Sequence, residues 1–84
     1  MRHGAATAKR DIVFVEEEFS WNWFGHCPPP PDVLEVGEIG LITAYLPDME
    51  KFAISLRTGA WITFSVTEEE FKDLFDVELF NKEN

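Results

Sequence analysis

The stretch from Val36 to Val66, VGEIGLITAYLPDMEKFAISLRTGAWITFSV, limits the fold more than any other part of the chain. Three short apolar runs are divided by two turn signals, the pattern of a three-stranded antiparallel meander. Ile39 to Leu46 is rich in β-branched and aromatic residues and is approached through Gly37 and Gly40. Such residues suit a pleated, half-buried surface. Pro47-Asp48 ends this run. Proline fixes φ and offers no N–H, and aspartate bonds nearby backbone, so a turn follows. Lys51 to Arg57 alternates, with Phe52, Ile54 and Leu56 on one face and Ala53, Ser55 and Arg57 on the other. That is the period of a half-buried strand. Thr58-Gly59 supplies the next hairpin, since glycine takes the positive φ that tight turns need. Ala60 to Val66 alternates again, placing Ile62, Phe64 and Val66 inward and Trp61, Thr63 and Ser65 outward.

The flanks carry weaker signals. Residues 1–10 are small and polar with no periodicity, and read as a mobile tail. Asp11 to Phe19, DIVFVEEEF, opens as a strand and runs into Glu16, Glu17 and Glu18, a solvated run that discourages edge-to-edge pairing. Ser20 to Asp32, SWNWFGHCPPPPD, reads as a long loop in which Pro28 to Pro31 form a polyproline II rod. Its aromatics Trp21, Trp23 and Phe24 have two uses: capping an open end of the sheet, or facing a partner. Thr67-Glu68-Glu69-Glu70 is a capping box, with Val66 and Phe71 at the staple positions. Phe71, Leu74 and Phe75 follow at helical spacing, so a helix is expected from Glu68 to Phe75. Asp76 to Phe80 alternates as a closing fifth strand, and residues 81–84 form a polar tail. One domain spanning residues 11–80 results.

Charge narrows the range of partners. Sixteen acids against seven bases give 84 residues a net charge of −9. Three of the bases, Arg2, Lys9 and Arg10, fall in the first ten positions, so the other four stand against all sixteen acids, a net of −12. Direct binding to nucleic acid or to an anionic membrane works against that field, whereas a basic protein is steered toward it. Glu68, Glu69, Glu70 and Asp73 would present an acidic helix face to such a partner. Trp61 is either covered by a loop or an exposed anchor, tryptophan being enriched at binding hot spots. Cys27 is the only cysteine, which excludes an internal disulfide. Residues 1–10 lack the apolar segment of a secretory signal, and no run reaches membrane-spanning length, so a cytoplasmic protein is expected.

Chemistry is poorly provided for. His26-Cys27 suggests a ligand pair or a thiol with its base, but zinc needs three or four ligands, and adjacent side chains seldom meet as nucleophile and base. No catalytic residue, metal site or cofactor is expected.

Long first loop, three-strand meander, short helix and last strand together resemble an SH3-like barrel. The approach VGEIGLI, the Thr58-Gly59 hairpin and the helix before the final strand are similar to those of small uncharacterised bacterial SH3-like proteins. That resemblance implies a five-stranded antiparallel barrel, mainly β with one short C-terminal helix, acting as a binding or accessory module rather than an enzyme. In peptide-binding members, loop aromatics and a tryptophan line a groove, the part that Trp21, Trp23 and Trp61 would take. The alternative fold is an open antiparallel sheet with the helix on one face. The function expected is that of an acidic protein-binding module, an inhibitor or accessory subunit docking on a basic partner. A sharper alternative is a nucleic-acid-mimicking immunity or phage anti-defence protein, which requires the carboxylates of Glu16–Glu18, Glu68–Glu70, Asp73 and Asp76 on one face. An enzyme using His26 and Cys27 is the remaining alternative.

Overall fold

The computed structural model describes residues 3–17, 19–23 and 25–80. Its first strand, β1 (Gly4–Ala8), lies where the sequence suggests a mobile tail. GAATA has no large apolar side chain, so no hydrophobic period marks it. Backbone pairing holds it instead, with register partners on both sides: Gly4 opposite Ile42 and Leu79, Ala6 opposite Gly40 and Val77. Small residues are a requirement there. A Cβ built on Gly4 would run into the Glu78 carbonyl oxygen and the Leu79 Cα.

The predicted strand over Asp11–Phe19 is reduced to β2 (Ile12–Val13), followed by a 3₁₀ turn at Phe14–Glu16. This turn carries Phe14 inward and leaves Val15 exposed, so alternation of apolar residues does not here mean extended chain. Conversely, part of the predicted loop is a strand, β3 (Ser20–Trp23), and after the prolines comes β4 (Val33–Leu34). The meander forms as its alternation and turn residues require: β5 (Ile39–Leu46), a 3₁₀ turn at Pro47–Met49, β6 (Lys51–Leu56) and β7 (Trp61–Ser65). Helix α1 (Glu68–Leu74) leads into β8 (Phe75–Leu79).

Six strands form one antiparallel sheet in the order β3-β7-β6-β5-β1-β8, and β2 pairs with β4 separately. The sheet is open: β3 and β8 stand at its two ends, and the closed five-stranded barrel expected from the SH3-like resemblance does not form. Inserting β1 between β5 and β8 places the last strand beyond the meander's first strand, at the far end from β3. The alternative reading, an open sheet with the helix on one face, agrees with this arrangement.

Parity then sorts the side chains. Phe52, Ile54, Ile62, Phe64 and Phe75 face the packed side and are essentially inaccessible. Their cover is α1 through Phe71 and Leu74, together with Ile12, Phe14 and Leu34. Phe71 stacks on Phe52 at 4.4 Å and 7° between planes, and meets Phe64 edge-on at 5.6 Å. A helix of seven residues is not stable alone, so these ring contacts and the cap hold it. In that cap Thr67 Oγ1 accepts from the Glu70 N–H at 3.1 Å, and the Thr67 N–H donates to Glu70 Oε1 at 2.9 Å.

Candidate protein interface

The three tryptophans do not share a surface. Trp21 and Trp23 lie opposite Phe64 and Ile62 in the β3–β7 register, so their side chains take the packed parity. Trp21 is half-buried, its ring 4.8 Å from that of Phe14, and Trp23 stacks on it at 6.0 Å. Trp23 is 39 % exposed at the end of the sheet. Trp61 has the opposite parity and lies on the other face, so a shared indole groove is not assembled. Phe24 lies outside the described residues. The proline run does not separate from the body: Pro28 Cγ comes within 3.4 Å of a Cβ built on Gly59, beside the β6–β7 turn.

The acidic residues are also divided. Glu68 Oε2 accepts from the Tyr45 hydroxyl at 2.6 Å and stands 3.6 Å from Lys72 Nζ. Glu70 is engaged in the helix cap, while Glu69 and Asp73 are exposed. Glu17 is gripped by Arg10 through two nitrogens at 3.0 and 3.2 Å. The Arg10 hydrogen bond, outweighing partial burial, holds the Glu17 carboxyl below its ordinary range. Asp76 and Glu78, on the outward parity of β8, lie on the face away from α1. Glu18 lies outside the described residues. The described members of the expected array, Glu16, Glu17, Glu68–Glu70, Asp73 and Asp76, therefore do not share one face, because strand parity and helix capping send these groups in different directions.

His26 is exposed and Cys27 half-buried. Among the described residues no three His, Cys, Asp or Glu side chains gather as a metal site. Two open clefts are present. One of about 180 Å³ is lined by Arg10, Phe19, Glu70, Asp73 and Leu74; the other, of about 320 Å³, is lined by Val36, Gly37, Glu38, Ile39 and Arg57. Neither includes His26 or Cys27. No helix among the described residues is long and apolar enough to cross a membrane.

Compared with known proteins, the chain matches no family model, no curated protein and no solved structure.

What remains is the sheet face turned away from α1. Besides Thr63, Ala53 and Ala44 in one row and Lys51 beside Leu46 in another, register sets out on it two cross-strand rows that run on to β8. Trp61, Ser55, Leu41, Ala5 and Glu78 form one; Ile39, Thr7 and Asp76 form the other, with Arg57 one step beyond the Gly40–Leu56 pair. Phe80 continues the outward parity of β8, its N–H bonded to the His3 carbonyl at 2.8 Å. Trp61 Nε1 donates to Thr43 Oγ1 at 3.0 Å. That bond reaches from β7 to β5, so the indole spans β6, and Ala53 within the span is only 8 % exposed. The ring is thus fixed flat on the face rather than projecting from it.

Sequence reasoning singles out Trp61 here and misses Ile39, Leu41 and Phe80. In β5 plain alternation puts Ile39, Leu41 and Tyr45 on one parity and Ile42 on the other, so neither face stands out. A register shift between Ile42 and Ala44 sets the faces, since the bulge moves Tyr45 onto the packed side with Ile42.

Proposed function

We propose that this protein is a non-enzymatic docking module, an inhibitor or accessory subunit, and that a protein partner seats on the bare face of the sheet. One observation carries the reading. Among the described residues, four of the nine exposed large hydrophobics, Ile39, Leu41, Trp61 and Phe80, lie on this one face. Chance scatter needs no explanation, but apolar residues gathered on one face mark an interaction surface. Trp61 is a pre-fixed anchor of the kind that dominates interfaces, because little side-chain freedom is lost on binding. Asp76 and Glu78 border the patch at β8 and Lys51 and Arg57 border it on the β6 side, which favours a partner with an apolar centre and charges of both signs around it.

Photo-crosslinking tests the reading. A photoreactive phenylalanine analogue at Leu41, in the full chain expressed in its native cell, is expected to give a discrete protein adduct. The same probe at Glu69 on the helix is expected to give none. Adducts at Glu69 with none at Leu41 would move the interface to the acidic helix.

A further inference from the structure

We infer that the occupant of the bare face is a second copy of this chain, stacked sheet to sheet about a two-fold axis that runs along the strands between β5 and β1. The inference rests on the docking reading above and names its partner. It is carried by the way the face complements itself under that rotation. Such an axis keeps each residue at its level along the strands and exchanges β5 with β1, and β6 with β8. In the first row Leu41 then lies over the partner copy's Ala5, and Ser55 over its Glu78. In the second, Ile39 lies over Thr7, and Arg57 over Asp76. Large meets small at both central positions, and Arg57 meets an anion, while Lys51, the other cation of this face, lies outside both rows with its Nζ on Ser65 Oγ at 3.1 Å.

Aromatic residues complete the match. Phe80, at the β8 end, falls over β6 of the other copy, where the Trp61 indole covers Ala53. Phe80 is 46 % exposed and Trp61 37 %. Each contact occurs twice, as an isologous interface demands. Stacked sheets sit about 10 Å apart with strands within about 30° of alignment, a gap that these side chains fill.

Charge supports the choice of partner. Arg57 and Asp76 are both exposed, and neither has an ion-pair partner among the described residues. A net charge of −9 per chain opposes self-association at long range. This surface is where the opposition is locally cancelled.

The test uses the full chain in sedimentation equilibrium over a dilution series, with circular dichroism confirming that each variant is folded. The wild type is expected to pass from dimer to monomer on dilution. Asp76→Arg reduces the negative charge by two, so general repulsion falls, yet it sets two cations against each other. It is expected to weaken the dimer about tenfold. Arg57→Asp is expected to weaken it similarly, and the double variant R57D/D76R, whose net charge equals that of the wild type, to restore it. Leu41→Glu is expected to abolish the dimer. A wild type monomeric at every concentration overturns the second-copy inference. If Leu41 still yields an adduct with a different protein, the docking reading survives that result; if it yields none, both fall. A dimer that Asp76→Arg strengthens also overturns the inference, because association then follows net charge alone.

Discussion

The two faces of the main sheet follow different rules although the same strands make both. On the side covered by α1, Phe52, Ile54, Ile62 and Phe64 are at most 1 % exposed and the aromatic rings interlock. On the other side Ile39, Leu41, Trp61 and Phe80 stand between 37 and 57 % exposed among alanine, serine and threonine. An antiparallel sheet with one wet face normally alternates apolar-in and polar-out. Here the outward parity keeps large apolar groups in β5 and β7, and small side chains in β1 and, apart from Lys51, in β6. The packed face explains why the chain folds. The bare face explains what the fold leaves available.

Mutations separate the faces by size of effect. Phe71→Ala should cost about 3–5 kcal/mol in urea unfolding, since it removes the ring that Phe52, Phe64 and Phe75 share. A loss under about 1 kcal/mol would mean that α1 is not part of the core. Gly4→Ala should cost about 1–3 kcal/mol by forcing β8 away from β1. An unchanged unfolding midpoint would break the assignment of β1 as an inner strand. Thr67→Ala should cost about 1 kcal/mol, the usual loss of a helix cap, with the same measurement deciding it.

Smaller effects sharpen the contrast. Glu17→Gln should cost under about 1 kcal/mol at neutral pH, as expected for a pair whose arginine is half exposed. Arg10 lowers the Glu17 carboxyl in the folded chain. Its contribution is therefore complete above the unfolded-state value and fades as pH falls through the folded-state one. Unfolding midpoints of E17Q should accordingly drop less on acidification than those of the wild type. Parallel pH profiles would show that the pair does not stabilise the fold. Leu41→Ser, measured on dilute protein where association does not contribute, should change stability by no more than about 0.5 kcal/mol. A loss above about 2 kcal/mol would place Leu41 in a core and end the distinction between the faces.

Much of the packed face was legible in the sequence because its residues obey a period. Phe52, Ile54 and Leu56, and Ile62, Phe64 and Val66, alternate without interruption, and Thr67 with Glu70 marks the helix start within a residue. Two strands of the main sheet, β1 and β3, were illegible for physical reasons. In β1 the stabilising element is backbone pairing, to which GAATA gives no side-chain clue. β3 lies among residues that also suit loops, and its aromatic pair takes the packed parity only because β7 sets the register. A barrel was the natural extrapolation from five strands; in the sheet that forms, β1 and β3 were both unforeseen, the chain expected as the first strand gives only β2 outside that sheet, and the sheet is open. Of the candidate site, Trp61 was readable as an outward tryptophan. Its neighbours Ile39 and Leu41 were not, since a bulge in β5 decides which apolar residues turn outward.

The pairing of Gly4 with Leu79 joins the beginning of the described chain to its end. A ribosome making this protein releases β1 before β8, so the one strand waits for the other before its second edge is satisfied. Pairings this distant in sequence are slow to close. Until they do, the β1 edge is an unpaired template for any other strand. Synthesis and refolding at high concentration are thus the moments when this small sheet is most exposed to joining the wrong chain.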